Sequence, residues 1–306
     1  MVHVKFNPEL LGTLKDKVVV LTGGATGIGR AAVIQFAEAG SKVVYGDLHN
    51  PPLPSSLPPS LTQNIQYQHC DTTSYASLLS LFAYAHTTFS RIDIVVANAG
   101  VGNPKSIFAP TADINEEPSL REIDVNLKGV IFTTRIGLFY LRKNGGEGGD
   151  MVLVSSIAGF KESEELPVYS ASKHGVLGLM RGLHTEVVKE GVRINVICPW
   201  MTKTQMVKGI EDGWAKLKLP ENTPEDVARS FLVCASAERS TDGTKHEGAR
   251  SPFAGKILWI GGGEAYEIED AIQELEPKWL GEENSRVLKI GQEFLASGGT
   301  SWNAEK

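Results

Sequence analysis

Three features are scarce in this sequence of 306 residues, and each scarcity excludes a class of protein. Only three cysteines are present, Cys70, Cys198 and Cys234, and they lie far apart without metal-ligand spacing. We therefore expect neither a disulfide framework nor a metal site. No stretch approaches the ~20 consecutive apolar residues of a membrane-spanning helix. Positive charge is also scarce, since the formal net charge is -6, which argues against a nucleic-acid-binding surface.

The two ends of the sequence carry no recognisable targeting signal. The first residues lack the apolar core of a signal peptide, and the last residues match no simple retention or peroxisomal signal. Together with the sparse cysteines, this predicts a cytoplasmic protein. Hydrophobic residues make up 42% of the chain, and a chain of this length can bury enough surface to fold without disulfides or metals.

Short apolar runs alternate with longer helical patterns along most of the sequence. This alternation predicts an α/β fold, a Rossmann-type doubly wound parallel sheet of about seven strands with helices on both faces. The predicted strands are residues 17–21, 42–45, 65–69, 92–97, 151–155, 193–197 and 256–260, and the predicted helices are 28–39, 74–89, 119–141, 168–190 and 224–235. We expect residues 1–263 to form a single domain.

Two segments interrupt this alternation. Residues 50–60 carry five prolines, which predicts an extended loop and not a regular helix. This Pro-rich loop is either a crossover at the sheet edge, which we favour, or a segment that docks a partner. Residues 264–306 are expected to form a C-terminal helical extension. The extension either packs on the domain or a neighbouring subunit, which we favour, or forms a flap at the active site.

A glycine-rich turn follows the first predicted strand and precedes the first predicted helix. Its sequence is Thr22-Gly23-Gly24-Ala25-Thr26-Gly27-Ile28-Gly29. Glycines let the backbone approach a pyrophosphate closely, and the helix N-terminus behind them offers unpaired N–H groups. The turn therefore predicts a dinucleotide site, and the residues assigned to it are Gly23, Thr26, Gly27, Ile28 and Gly29.

Carboxylate and amide side chains end the next three predicted strands. Asp47, 18 residues after Gly29, would accept hydrogen bonds from the adenosine ribose and repel a 2′-phosphate. Because Arg30 is expected to face solvent, the turn offers no cation to a 2′-phosphate, and we predict NAD as the cofactor. Asp71 would either accept a hydrogen bond from adenine or cap the following helix. Asn98 and Gly100 lie where open α/β sheets bind ligands.

Ser156, Tyr169 and Lys173 form the candidate catalytic set. Tyr169 and Lys173 are four residues apart and share a helix face, and Ser156 lies thirteen residues before the tyrosine, a spacing that favours it over Ser155. A neighbouring ammonium lowers the pKa of a phenol, ordinarily about 10, toward neutrality. Tyr169 would then exchange a proton with the substrate oxygen, to which Ser156 would donate a hydrogen bond.

These motifs occur in an order that one family shares. With Asn98-Ala99-Gly100 and with Asn126 in Val125-Asn126-Leu127, the chain resembles the short-chain dehydrogenase/reductase family over roughly residues 15–262. The resemblance implies an NAD-dependent oxidoreductase acting on CH–OH groups, with Tyr169 as general acid and base. It also implies that Lys173 holds the nicotinamide ribose, that Asn126 anchors a water linking Lys173 to solvent, and that Thr204 holds the carboxamide. A homodimer or homotetramer, associating through the helices around 119–141 and 168–190, is implied as well.

The sequence departs from the family pattern after the sixth strand, where Trp200 follows Pro199 in place of the usual glycine. Trp200 either packs outward or forms a wall of the substrate pocket, and we favour the wall. Residues 200–222 are expected to form a substrate lid, with Met206 and Trp214 on its apolar face and Phe160 adding to the pocket. No arginine or histidine is obviously placed to bind an acidic group.

The predicted substrate is therefore a lipophilic secondary alcohol or ketone, of a terpenoid, steroid-like or polyketide kind. The leading hypothesis is an NAD-dependent alcohol dehydrogenase. The alternatives are a ketoreductase in a secondary-metabolite pathway and a non-catalytic NADH-binding sensor or scaffold. The intact set of serine, tyrosine and lysine argues against the sensor.

Overall fold

The computed structural model describes residues 1–102 and 106–297, and its described strands form one nine-stranded sheet. The strands are β1 Val2–Val4, β2 Val18–Thr22, β3 Lys42–Asp47, β4 Ile65–His69, β5 Ile94–Ala97, β6 Gly149–Val154, β7 Val192–Pro199, β8 Ile257–Gly261 and β9 Glu264–Glu267. Their order in the sheet is β1-β9-β8-β7-β6-β5-β2-β3-β4. Strands β2 to β8 run parallel and correspond to the seven predicted strands, so the Rossmann-type fold is confirmed.

Helices cover both faces of this sheet. They are α1 Gly27–Glu38, α2 Pro59–Thr62, α3 Tyr75–Phe89, α4 Arg121–Ile123, α5 Gly129–Leu141, α6 Pro167–Val187, α7 Glu211–Lys216, α8 Pro224–Ser236, α9 Glu269–Glu274, α10 Glu276–Leu280 and α11 Glu282–Ala296. Helices α1 and α8 bury Phe36 and Phe231 against one face. Helices α3, α5 and α6 bury Phe82, Leu141 and Met180 against the other. Two-sided burial explains why the first four residues of β2 are all apolar, because all five residues of the strand are buried.

The prediction of seven strands omitted two short antiparallel strands at one edge. After β8 the chain reverses through Gly262 and Gly263, both at positive φ, and β9 pairs back on β8. Strand β1 then pairs antiparallel with β9. Residues 264–267, which we assigned to a helical extension, are therefore a strand, and the prediction was wrong for these four residues.

The predicted helix over residues 119–141 is not regular. A π-helical turn, Asp124–Lys128, separates α4 from α5, and Asn126 lies at its centre. Such turns insert one residue into a helix and often occur at functional sites. The predicted helix over 168–190 is α6 followed by a 3₁₀ turn, Val188–Glu190.

The Pro-rich loop forms no regular helix or strand before the single turn α2, which begins at Pro59, and the backbone N–H of Leu57 donates to the carbonyl oxygen of Pro54 in a tight turn. In the tail, α9 contributes the buried Glu269, whereas α11 buries none of its residues. Part of the predicted extension, residues 298–306, lies outside the described residues. Within the part of the chain that the structure describes, no helix is long and apolar enough to cross a membrane.

Sheet order fixes where a ligand can bind. Strand β2 has β3 on one side and β5 on the other, so the crossovers that leave β2 and β5 lead to opposite faces of the sheet. Such a switch point opens a crevice at the carboxyl ends of the strands. The glycine-rich turn after β2 and the segment after β5 both enter this crevice.

Candidate active site

The glycine-rich turn packs so tightly that two of its glycines cannot carry a side chain. A Cβ at Gly29 would lie 1.9 Å from the carbonyl oxygen of Gly23, and a Cβ at Gly23, whose φ is +72°, would lie 2.7 Å from the Cα of Ala99. The side-chain amide of Asn98 donates to the carbonyl oxygens of Thr22 (3.1 Å) and Gly23 (2.9 Å). The turn after β2 is therefore bonded directly to the end of β5, and Thr26, Gly27 and Ile28 line the cleft with it.

Asp47 ends β3 and also holds the turn. Its carboxylate accepts hydrogen bonds from the backbone N–H of Ala25 (3.0 Å) and that of His49 (3.3 Å), and the residue lines the cleft. We expected Arg30 to face solvent, but its side chain also contacts the protein backbone. Its guanidinium donates to the carbonyl oxygen of Ala25 at 3.2 Å and to that of Pro52. Arg30 thus joins the Pro-rich loop to the glycine-rich turn. Within the turn, the N–H of Ala25 is bonded to Asp47 and its carbonyl oxygen to Arg30.

Asp71 and Gly100 line the same cleft from the ends of β4 and β5. The Asp71 carboxylate accepts from the backbone N–H of Thr73 (2.9 Å) and from its hydroxyl (2.8 Å). The N-cap of α3 is Ser74 and not Asp71. A Cβ at Gly100 would meet Asn126 and Lys173 only at ordinary contact distances of 3.4 and 3.6 Å. Protein packing therefore does not require glycine there, and the open face of Gly100 is free for close approach by a ligand.

Ser156, Tyr169 and Lys173 meet at the centre of the cleft. Ser156 follows β6, and its hydroxyl lies close enough to the phenol of Tyr169, on the first turn of α6, to lower the pKa of that phenol. Lys173, 3% exposed, donates from Nζ to the carbonyl oxygen of Val154 at 3.0 Å, with Nζ 5.5 Å from the centre of the Tyr169 ring. The Ser155 hydroxyl instead donates to the carbonyl oxygen of Lys173 at 2.8 Å and so is already used in packing α6.

The protein's own groups leave Tyr169 protonated. Burial raises the pKa of its phenol, and the nearby hydroxyl of Ser156 only partly opposes this. Burial also lowers the pKa of Lys173 to about 8. We expected Lys173 to lower the pKa of the Tyr169 phenol. In the protein alone, desolvation outweighs any such lowering, because burial of both side chains disfavours their charged forms.

Asn126 is fully buried and forms three side-chain hydrogen bonds with two residues. Its Oδ1 accepts from the backbone N–H of Val101 at 2.8 Å, while its Nδ2 donates to the carbonyl oxygen of Val101 (2.8 Å) and to the hydroxyl of Ser172 (3.2 Å). The π-helical turn therefore directs this amide toward the segment after β5 and toward α6. Asn126 holds the two segments that carry Gly100 and Lys173 at a fixed separation.

The cleft has a volume of about 990 Å³ and continues from the glycine-rich turn to the lid. Trp200, Thr204, Met206 and Trp214 all line it, as predicted for the pocket and for the nicotinamide end. The lid comprises a 3₁₀ turn, Gln205–Val207, and α7. Its two ends meet in a bridge between Thr202 and Asn222.

Phe160 does not line this cleft, so that part of the prediction was wrong. It lies beyond the turn that follows Ser156 and packs against the apolar cluster under α3, α5 and α6. The sequence analysis found no arginine obviously placed to bind an acidic group, yet an exposed arginine, Arg121, lines the cleft. Lys128 lines it as well and pairs with Asp124.

Asn222 was not among the residues predicted from the sequence. It is fully buried, its Nδ2 donates to the carbonyl oxygen of Ile260 at 3.0 Å, and its Oδ1 accepts from the N–H of Gly263 at 2.9 Å. These bonds tie the base of the lid to the end of β8. Among the described residues, no group of three or more histidine, cysteine or carboxylate side chains could hold a metal ion.

A family model described as short chain dehydrogenase matches residues 17–214. The chain belongs to this family of oxidoreductases. It is 33% identical over 301 residues to a short-chain dehydrogenase/reductase, prx4, of Penicillium rubens, a match that covers 95% of this chain and 88% of the relative. It is 38% identical to the 15-hydroxyprostaglandin dehydrogenase (NAD(+)) of Rattus norvegicus, over 65% of this chain and 73% of that protein.

A third relative matches over nearly the whole length of both chains. The 5′-hydroxyaverantin dehydrogenase of Dothistroma septosporum is 28% identical over 94% of this chain and 96% of its own. Among solved structures, a short-chain type dehydrogenase/reductase from Mycobacterium marinum has a TM-score of 0.67 at 23% identity, covering 83% of this chain and 97% of the other. At this identity, the structural similarity supports the fold alone.

Proposed function

We propose that this protein is an NAD-dependent dehydrogenase that transfers a hydride between a lipophilic secondary alcohol or ketone and the nicotinamide ring. One observation carries the proposal. Ser156, Tyr169 and Lys173 lie in the same cleft as the glycine-rich turn, and Nζ of Lys173 is 5.5 Å from the centre of the Tyr169 ring. A reacting centre and a dinucleotide site are thus continuous.

The residues present fit a nicotinamide dinucleotide. Close packing at Gly23 and Gly29 shapes a turn with the helix N-terminus behind it, and the face of Gly100 is open. Gly23, Gly27 and Gly29 would lie along the pyrophosphate, and Asp47 would accept from the adenosine ribose. Lys173 would hold the nicotinamide ribose and Thr204 the carboxamide. When bound, the cofactor supplies hydride transfer and, in its oxidised form, a positive charge beside the phenol.

Proton transfer at the phenol oxygen of Tyr169 is the step that the protein performs. Because burial raises the pKa of the phenol, Tyr169 is suited to donate a proton in the reductive direction. In the oxidative direction, it needs a positive charge nearby to become a base, which Lys173 and the oxidised ring together would provide. Ser156 would donate to the same substrate oxygen and stabilise its developing negative charge.

The preference for NAD rests on Asp47, whose carboxylate lines the cleft and accepts a hydrogen bond from the backbone N–H of Ala25. A 2′-phosphate there would meet that negative charge. The names of two relatives, 15-hydroxyprostaglandin dehydrogenase and 5′-hydroxyaverantin dehydrogenase, support a hydroxyl-bearing substrate. Lipophilicity is supported by the apolar side chains of Met206, Ile210 and Trp214 in the lid. The exposed Arg121 would allow a substrate with an acidic group remote from the reacting carbon.

Four further assignments remain proposals. We propose a homo-oligomer, and exposed apolar side chains on α5, Ile131 (41% exposed) and Phe139 (55% exposed), support one. We propose a cytoplasmic location and, for the reductive alternative, a role in secondary metabolism. Residues 1–263, together with β9, would form the domain, with α9 to α11 as the extension.

The test combines turnover and cofactor binding in one variant pair. Purified protein with NAD and a panel of lipophilic secondary alcohols should produce NADH absorbance, and Tyr169→Phe should abolish it while NADH affinity, measured by fluorescence, stays nearly unchanged. Retained turnover in Tyr169→Phe would contradict the assignment. Initial rates with NADP in place of NAD test Asp47, and a preference for NADP would show that the cofactor proposal is wrong.

A further inference from the structure

Five aromatic rings form a continuous row from the lid to the far edge of the sheet. Trp214 in α7 meets Trp200 at 5.2 Å between ring centres with an interplanar angle of 80°. The next ring in the row is Trp259 in β8, whose centre lies 6.2 Å from that of Trp200. The row continues to Tyr266 in β9, 5.4 Å from Trp259, and ends at His3 in β1, 5.0 Å from Tyr266. Only the first two rings, Trp200 and Trp214, line the cleft.

Trp200 is held in place from behind. Its backbone N–H donates to the carbonyl oxygen of Ile260 at 2.9 Å, which extends the pairing of β7 with β8 past Pro199. The ring of Trp259 behind it lies over Gly261, where a Cβ would come within 2.6 Å of that ring, and is stacked on Tyr266. The ring of Trp200 therefore has a packed aromatic neighbour on the side of Trp259.

Trp214 is fixed by its own tether. Its indole Nε1–H donates to the carbonyl oxygen of Pro220 at 2.9 Å, inside the lid segment. The bridge between Thr202 and Asn222 closes the base of that segment, and Asn222 joins it to the carbonyl oxygen of Ile260, the same backbone group that fixes Trp200. The segments that carry the two rings are thus both hydrogen-bonded to the carbonyl oxygen of Ile260 in β8. These bonds support the near-perpendicular arrangement of the two rings.

We propose that Trp200 and Trp214 form a rigid aromatic corner that selects flat, fused-ring secondary alcohols or ketones over flexible-chain ones. The inference rests on the proposed function, and it narrows the lipophilic substrate to one shape. A flat ring system gains offset stacking on one indole and an edge-to-face contact with the other. A flexible chain gains less from a right-angled aromatic surface, and it loses more rotational freedom on binding.

The test compares two classes of alcohol of equal carbon number. Tetralol and fluorenol represent the flat class, and straight-chain secondary alkanols represent the flexible class. The wild-type protein should favour the flat class in kcat/KM by about tenfold, and Trp200→Gly, which restores the residue usual in the family, should remove most of that preference. Trp200→Phe, which keeps an aromatic face, should retain it within about threefold.

Matched controls separate a specific effect from a general one. Trp279 on α10 is 68% exposed and does not line the cleft, so Trp279→Phe should leave the preference unchanged. NADH affinity should stay within about twofold in each variant, which shows that the variant has folded and keeps its cofactor site. An equal loss for both classes with intact NADH affinity, or a wild-type preference for the flexible class, would overturn the aromatic corner.

A direct binding measurement keeps the corner distinct from the dehydrogenase proposal. If no alcohol is turned over, titration of the NADH complex with tetralone and fluorenone, followed by quenching of tryptophan emission, reports binding alone. About tenfold weaker binding of these ketones in Trp200→Gly than in the wild type, with the affinity for a straight-chain ketone of equal carbon number unchanged, would support the corner even though the proposed reaction had failed. Equal affinity in the two proteins would overturn it.

Discussion

His246 should make the stability of this protein fall steeply in mild acid. The side chain is 1% exposed, and burial lowers its pKa from the ordinary 6.5 to about 4. Its Nδ1 accepts from the backbone N–H of Asn7 at 2.9 Å, so the proton is on Nε2, which lies 2.9 Å from the hydroxyl of Ser236. That hydroxyl in turn donates to the carbonyl oxygen of Leu232. The neutral ring therefore joins the N-terminal segment to α8, and a second ring proton would break the bond with Asn7.

The sign and size of the effect follow from the two pKa values. In the unfolded chain the imidazole binds a proton below about pH 6.5, whereas in the folded protein it does so only near pH 4. Stability from the neutral ring is thus fully present above pH 6.5 and is lost as the pH falls toward 4. Between pH 7 and pH 4.5 the loss amounts to roughly 2.5 kcal/mol in the free energy of unfolding.

Urea unfolding followed by circular dichroism at several pH values measures this loss. His246→Gln keeps an acceptor and a donor but cannot titrate, so its free energy of unfolding should be lower at pH 7 and should fall by roughly 2 kcal/mol less between pH 7 and pH 4.5. His69→Gln is the control, because His69 is exposed on β4. Wild-type and His246→Gln curves that run parallel over this range would refute the reasoning.

Three further outcomes are expected. Arg30→Leu frees the carbonyl oxygens of Ala25 and Pro52, so the Kd for NADH, measured by fluorescence, should rise about fivefold; an unchanged Kd would show that the Pro-rich loop does not support the cofactor site. Gly29→Ala should abolish NADH binding in the same assay, because the new methyl group would lie 1.9 Å from a backbone oxygen, whereas Gly178→Ala, with nothing within 4 Å, should bind normally. A chain truncated after Gly281, which lacks α11, should keep its turnover, because no described residue after Trp214 lines the cleft. Lost turnover with an unchanged melting temperature would instead indicate that the C-terminal extension forms a flap at the active site.

Periodicity and short motifs were sufficient to predict the parallel sheet. The buried strands contain short apolar runs, as in Val18-Val19-Val20-Leu21, because helices cover both faces of the sheet. The glycine-rich turn, Asp47 and the catalytic set occupy one cleft because each of these motifs follows the carboxyl end of a strand or begins the helix after it. Residues tied to the backbone in this way are positioned by the fold class itself.

The edge strands were missed because they are short and carry little pattern. Strand β1 has three residues and β9 has four, which is too few for alternation to stand out. The pair Gly262-Gly263 was a usable signal, since two glycines between two runs favour a tight hairpin. The acidic residues that follow led us to expect a helix beginning earlier than α9 does.

Contacts between side chains and distant backbone atoms could not be predicted from the sequence. Arg30 reaches Pro52, and Asn222 reaches Ile260, through geometry that only the assembled fold defines. Phe160 was assigned to the pocket because it lies between Ser156 and Tyr169 in the sequence, yet the turn after β6 directs it into the core. Proximity along the chain says little about direction once a 3₁₀ turn, here Ile157–Gly159, intervenes.

The pairing of Val2 with Glu267 affects the order in which the sheet folds during synthesis. Strand β1 leaves the ribosome early but has to wait for β9, which follows all seven parallel strands. The sheet around the glycine-rich turn can therefore assemble while its antiparallel edge is still open. A chain interrupted before residue 264 would leave the side of β8 without its neighbour, and an open strand edge of this kind is where unfinished copies join one another.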